Sequence, residues 1–170
     1  MRNEGYAAVT ARKVATQAGL KVQLVYYYFE TMDDLIIEVI RQHSSARMKA
    51  FIKALASPNP LRALWEMNRN KTSALFTTEV LAMGNHKESI RNELARIGDD
   101  FRILQAEAVG QLLEERGINT HRYPTTAIVA TISALSRAMA QDGSLGASSG
   151  YAEAATIIDC LIDELSDTET

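Results

Sequence analysis

The sequence predicts an all-α fold, a short two-helix head followed by a longer helical bundle. Helix signals dominate the 170 residues, and no stretch sustains a period of two between turn signals. Helix starts are marked by capping residues at Thr10, Thr31, Asn59-Pro60 and Asn85. Stops are marked by Gly19, Ser57-Pro58, Gly84 and Gly117.

In chain order, Thr10 is the expected N-cap of a two-turn helix with Val14, Ala15 and Ala18 facing inward. Ala15 is small where a second helix must cross closely. Gly19 supplies a tight turn, Leu20 is expected to plug the gap, and a second short helix begins near Lys21. Thr31 and Asp34 resemble a capping box for a helix over 31–56. Asn59 and Pro60 suit N-cap and first position of a helix over 61–83. Asn85, with Glu88 three residues on, predicts the start of the longest helix, 86–116, roughly 45 Å long at 1.5 Å per residue. Two further helices are expected over 125–141 and 151–166, with a Gly- and Ser-rich loop over 142–150 between them and a short polar tail after them.

Composition sets limits on function. Apolar residues make up 46% and charged residues 23%, which suits a buried core and a soluble surface. No apolar run approaches the roughly 18 residues of a membrane span, and no secretory signal pattern opens the chain, so no membrane partner and a cytoplasmic location are expected. Cys160 is the single cysteine and lies on an apolar stripe, which reads as packing. His43, His86 and His121 are scattered, and neither zinc spacing, a Gly-x-Ser-x-Gly motif nor a phosphate loop occurs. The sequence therefore points to no catalytic residues, no metal and no cofactor.

Charge is uneven. The net −3 alone argues against a nucleic-acid binder. Residues 1–29, however, hold Arg2, Arg12, Lys13 and Lys21 against Glu4 alone, a net +3, which leaves −6 on the rest. A basic end on an acidic body suits a head that meets phosphate.

Two short helices joined around a glycine form a helix-turn-helix, whose second helix enters the major groove. Here Thr10, Val14-Ala15, Ala18-Gly19-Leu20, the aromatic run Tyr26-Tyr27-Tyr28-Phe29 and Leu35 resemble the TetR family of repressors. Members read T-x-x-x-I-A-x-x-A-G-V-S and then L-Y-x-[HY]-F. The aromatic run at fixed distance from Ala-Gly-Leu is the specific part, because a bare helix-turn-helix is degenerate. The resemblance is strong over residues 5–40 and thins to helix lengths and order over 60–166. It implies a DNA-binding head over 1–42 and a ligand-binding and dimerisation domain over 43–170.

Three departures stand out. The family's head begins some twenty residues upstream of Met1, so either the sequence is incomplete there or the head is under-packed. Lys21 replaces the usual Ser, a loss of about 0.5–2 kcal/mol of capping that a nearby phosphate would offset. Met32 stands where members often place a phosphate-contacting Lys.

The resemblance places DNA contacts on Thr10, Arg12, Lys21, Val22, Gln23, Tyr26 and Tyr27. Gln23 suits bidentate pairing with adenine, Arg12 a guanine edge or a phosphate, and Val22 a thymine methyl. Tyr26 and Tyr27 would set hydroxyls on phosphates, the alternative being core packing; Tyr28 and Phe29 are expected in the core. Candidate ligand contacts are Trp65, Asn68, Thr72, Phe76, Met83, Phe101, Leu104 and Met139, again with core packing as the alternative. In the last two helices Ile128, Ile132, Leu135, Ile158, Leu161, Ile162 and Leu165 are candidates for a two-fold dimer interface, an internal pair of helices being the alternative.

The expected whole is a homodimeric repressor on a palindromic double-stranded operator, released by a small, largely apolar effector, with helix 31–56 as lever. The rival is an all-helical ligand-binding or interaction module that no longer binds DNA.

Overall fold

The computed structural model describes residues 9–166, and among them it forms eight α-helices. They are α1 (Ala11–Ala18), α2 (Val22–Tyr28), α3 (Met32–Leu55), α4 (Pro60–Asn68), α5 (Lys71–Gly84), α6 (Glu88–Glu115), α7 (Thr125–Ser144) and α8 (Tyr151–Ser166). Arg2 and Glu4 of the basic end, residues 5–8 of the motif and the tail after residue 166 lie outside the described residues. The fold is all-α, with a helix-turn-helix head and a helical body. None of the described helices is long and apolar enough to cross a membrane.

The chain forms two compact units. The first takes residues 9–46 with Phe76–Ile97, and the second takes Arg47–Leu75 with residues 98–166. The head expected over 1–42 falls within the first unit as far as it is described. Helices α3, α5 and α6 each give one part to each unit.

In the first unit, Thr10 Oγ1 accepts the Lys13 N–H at 3.3 Å and starts α1. Gly19 ends it at φ +67°, a conformation that glycine enters without a Cβ penalty, and the Leu20 N–H returns to the Ala15 carbonyl at 2.9 Å. Helices α1 and α2 pack through Ala11, Ala15 and Val25, with Val22, Phe29, Met32 and Leu35 around them. This corrects two expectations. Ala11 joins Ala15 on the inward face while Ala18 is exposed, because the contact is centred one turn earlier. Leu20 is half exposed, and Val25 fills the space between the helices instead.

Thr31 and Asp34 close the capping box reciprocally: the Thr31 N–H donates to Asp34 Oδ2 at 2.9 Å and the Asp34 N–H to Thr31 Oγ1 at 3.1 Å. The first unit's other core joins Ile36 and Ile40 of α3 to Val80 and Met83 of α5 and Ile90 of α6. Lys87 pairs with Asp33, whose other oxygen accepts from the Ser89 hydroxyl at 3.3 Å.

Asn85 is not the cap expected of it. The N–H groups of Asn85, His86 and Lys87 return to Leu81 and Met83, so these residues trail α5 and α6 opens at Glu88.

In the second unit, Asn59 Oδ1 accepts the Arg62 N–H at 3.1 Å, and Pro60 takes the first position of α4. The single helix expected over 61–83 is in fact two. Asn70 Oδ1 accepts the Ser73 N–H at 2.9 Å, so a second cap starts α5 at Lys71. The core gathers Phe51, Leu64, Trp65, Phe101, Leu113, Val129 and Ile162. Phe51 and Phe101 meet edge-on at 5.6 Å between centroids. The Arg47 guanidinium lies 4.7 Å from the centre of the Phe101 ring, and burial, followed by the neighbouring Arg137, pushes its pKa down. Helix α4 packs on α7 and α8, and Arg62 pairs with Asp159 and, at 2.6 Å, with Asp163.

Gly117 ends α6 at φ +69°, with the Ile118 N–H on the Leu113 carbonyl at 2.9 Å. Helix α7 runs to Ser144, three residues into the expected loop, where the Tyr151 hydroxyl donates to Asp142.

Candidate nucleic-acid interface

Helix α2, the residue before it and the start of α1 carry the side chains expected to meet DNA. Lys21 precedes α2 in extended conformation and makes no side-chain cap, as its ammonium has no acceptor to offer. Lys21, Gln23, Tyr26 and Tyr27 are exposed, as are Thr10 and Arg12 at the start of α1. Val22 is half-buried against the α1–α2 core, so less of it is free for a thymine methyl. The structure thus brings the seven expected contact residues onto one small two-helix unit.

The tyrosines differ from expectation in one respect. Tyr26 and Tyr27 are exposed, but so is Tyr28, at 69%, where core packing was expected. The α1–α2 core draws on Val22, Val25 and Phe29 and leaves Tyr28 outside it; Tyr28 meets the Tyr27 ring edge-on at 5.0 Å. Met32, in the place of the family's lysine, is half-buried on that core.

The expected ligand contacts do not converge on one place. Phe76 and Met83 belong to the first unit, where Met83 is core and Phe76 stacks 4.3 Å from His43. In the second unit Trp65 and Phe101 are buried core, and Met139 packs against that core. Thr72 and Leu104 are exposed. Asn68 lines a cavity formed by the described residues. That cavity, of about 60 Å³, lies among Leu61, Leu64 and Asn68 of α4, Gln105, Val109 and Leu113 of α6, Ile128, Val129 and Ile132 of α7, and Ile162 and Leu165 of α8.

Several residues expected at a dimer interface therefore have an internal role. Ile128, Ile132, Ile162 and Leu165 line the cavity, while Leu135 and Ile158 pack against the core of the second unit. Leu161 is 44% exposed. Beside it on α8 stand the exposed Ile157 and Cys160, and α7 exposes Ala127, Ala130 and Ala134. The bulky side chains of α7 thus turn inward and small residues stand on its exposed side.

Gln105 escaped the sequence reading. It is 3% exposed, and its Oε1 has no hydrogen-bond partner among the described residues. The signal was available: Phe101, Gln105, Val109 and Leu113 follow one another at intervals of four along α6, a polar side chain on an otherwise apolar line. Among the described residues, no three His, Cys, Asp or Glu side chains come together to hold a metal ion.

Residues 1–39 match the family model of bacterial regulatory proteins, tetR family. No curated protein and no solved structure matches the chain. The matched span covers α1, the Gly19 turn, α2 and the first turns of α3. It holds both the Ala11–Ala15–Val25 contact that shapes the motif and the exposed Gln23, Tyr26 and Tyr27 of α2. Residues 1–39 are thus similar to the DNA-binding head of tetR-family proteins, and the match supports a DNA-binding transcriptional regulator.

Proposed function

We propose that the protein is a homodimeric repressor in the cytoplasm, that it grips a palindromic operator, and that a small effector in its second unit releases it. The observation that carries this reading is the α2 surface. Lys21, Gln23, Tyr26 and Tyr27 are exposed together within a segment that matches DNA-binding regulators. Gln23 would read a base edge, and Lys21 and the tyrosine hydroxyls would hold phosphates.

Residues 43–170 would sense and dimerise. The outward stripe of Ile157 and Leu161, beside the small residues Ala127, Ala130 and Ala134, suits isologous pairing of α7 and α8 with their symmetry mates. The cavity among α4, α6, α7 and α8 is the place for the effector. Helix α3 takes part in both units, so repacking around an effector has a continuous helix along which to act on the head. Effector and operator then favour different conformations, and each lowers the affinity for the other by the same factor.

Operator sequences selected from a random DNA pool test the reading. The expected result is a palindrome bound with Kd on the order of 10⁻⁸ M or tighter and an affinity that falls steeply with salt. Loss of the protein should raise transcription from that site. No selected sequence, or salt-independent binding, would instead favour a helical ligand-binding module without DNA.

A further inference from the structure

Resting on the assignment of the effector to the second unit, we infer the class of molecule that the cavity takes: a short, neutral, mostly aliphatic compound with one group, such as a hydroxyl, that donates and accepts, read by Gln105. The wall is aliphatic apart from two amides, Asn68 and Gln105. Asn68 is already committed, its Nδ2 donating to the Leu64 carbonyl at 2.9 Å. Gln105 is not. Of the buried polar atoms without a partner among the described residues, its Oε1 is the one on the cavity wall. A buried amide left unpaired is costly, so a guest that donates to it gains more than the same hydrogen bond would bring at the surface.

Charge and size narrow the class. The lining holds no ionisable side chain, so an ammonium or carboxylate would be desolvated with no counter-charge. The volume, about 60 Å³, is well below the roughly 150 Å³ of an engineered apolar cavity that admits benzene. A guest with fewer heavy atoms than benzene, no more than about five, follows. A hydroxyl matches either orientation of the Gln105 amide, since it can both donate to Oε1 and accept from Nε2.

The test uses 1-butanol and its isomer diethyl ether, which has the same atoms but no donor, with butylammonium and butyrate as charged analogues. Each is titrated into the full chain while the methyl signals of Val109, Leu113 and Ile132 are followed by NMR. Saturable shifts with 1-butanol are expected, with about tenfold weaker binding of diethyl ether and none of either ion. Gln105→Leu should bring 1-butanol down to the affinity of the ether. Equal affinities for the two isomers, an unchanged affinity in Gln105→Leu, binding of an ion, or no saturable shift at all would each overturn the inference. Should Gln105→Leu fail to fold, the ratio of the isomers on the unaltered protein decides.

Operator binding is measured separately. Gln105-dependent binding of 1-butanol without any change in operator affinity would leave the cavity assignment standing and remove the effector-release reading. Release of the operator by a compound that leaves these methyl signals in place would do the reverse.

Discussion

Arg41 Nε donates to Glu93 Oε1 at 2.7 Å, tying α3 to α6 within the first unit. The same oxygen accepts from Arg96 Nη2 at 2.8 Å. Hydrogen bonding from Arg96 and then from Arg41 lowers the Glu93 pKa from 4.5 to about 2. A depressed carboxylate pKa adds stability that is present above the unfolded value, near 4.5, and lost as pH falls toward about 2. Glu93→Gln should therefore be less stable than the parent at pH 7, and the difference should shrink between pH 4.5 and 2. Urea titrations of both proteins at several pH values read this directly. A difference that stays constant with pH would mean that the two guanidiniums do not hold Glu93 in solution.

Three substitutions in the head separate reading from positioning. Gln23→Ala should relax preference at one base pair, at a cost of about 1–3 kcal/mol for the best site. Tyr27→Phe should weaken all sequences alike, since it removes a hydroxyl that would meet phosphate. Lys21→Ser restores a cap to α2 and removes a cation, so the head should gain about 0.5–2 kcal/mol while the salt dependence of binding falls by roughly one counterion. Binding isotherms over a salt series, on matched and mismatched sites, distinguish the three. An unchanged salt slope in Lys21→Ser would place Lys21 away from the DNA.

Leu161 and Ile132 make a contrast for assembly. Leu161 is on the outward stripe of α8, whereas Ile132 lines the cavity. Leu161→Glu should give folded monomers, because the unpaired charge would be buried only on pairing. Ile132→Glu should instead unfold the second unit. Sedimentation alongside circular dichroism tells these outcomes apart, and a folded dimer with Leu161→Glu would move the interface off α8.

Local chemistry was legible in the sequence wherever one residue decides it. Thr10, Thr31 with Asp34, and Asn59 with Pro60 all cap as their types suggest, and Gly19 and Gly117 end their helices at positive φ. The break at 69–70 was hidden because Arg69 and Lys71 are good helix formers. Asn70 starts α5 by turning its side chain to the Ser73 N–H, which spacing alone does not reveal. Asn85 misled for the converse reason, since α5 trails through it by backbone bonds alone. The aromatic run was readable as a motif, but the exposure of Tyr28 depends on which side chains fill the α1–α2 contact. For the body, the sequence offered the apolar residues of α7 and α8 and could not say which of them face inward. That choice is made by the packing of α4 on α7 and α8, a contact remote in sequence.

Gln105 yields the last prediction, one for the protein without any added compound. A glutamine with an unpartnered oxygen, 3% exposed beside aliphatic side chains, lowers stability relative to a leucine of similar size and helix propensity. Relieving one such group is worth about 1–3 kcal/mol. For a chain of this length each kcal/mol moves Tm by roughly 2–4 °C, so Gln105→Leu should melt several degrees higher. Val109→Ala, which enlarges the same cavity, should melt lower by the familiar cost of lost packing. The opposite signs matter, because a general loosening of the second unit would lower both. Differential scanning calorimetry of the three proteins at equal concentration provides the comparison. A lower Tm in Gln105→Leu would mean that the amide is satisfied in solution and serves the fold. A higher one would mean that the chain keeps a destabilising polar group in its core, a cost that a role in binding explains and packing does not.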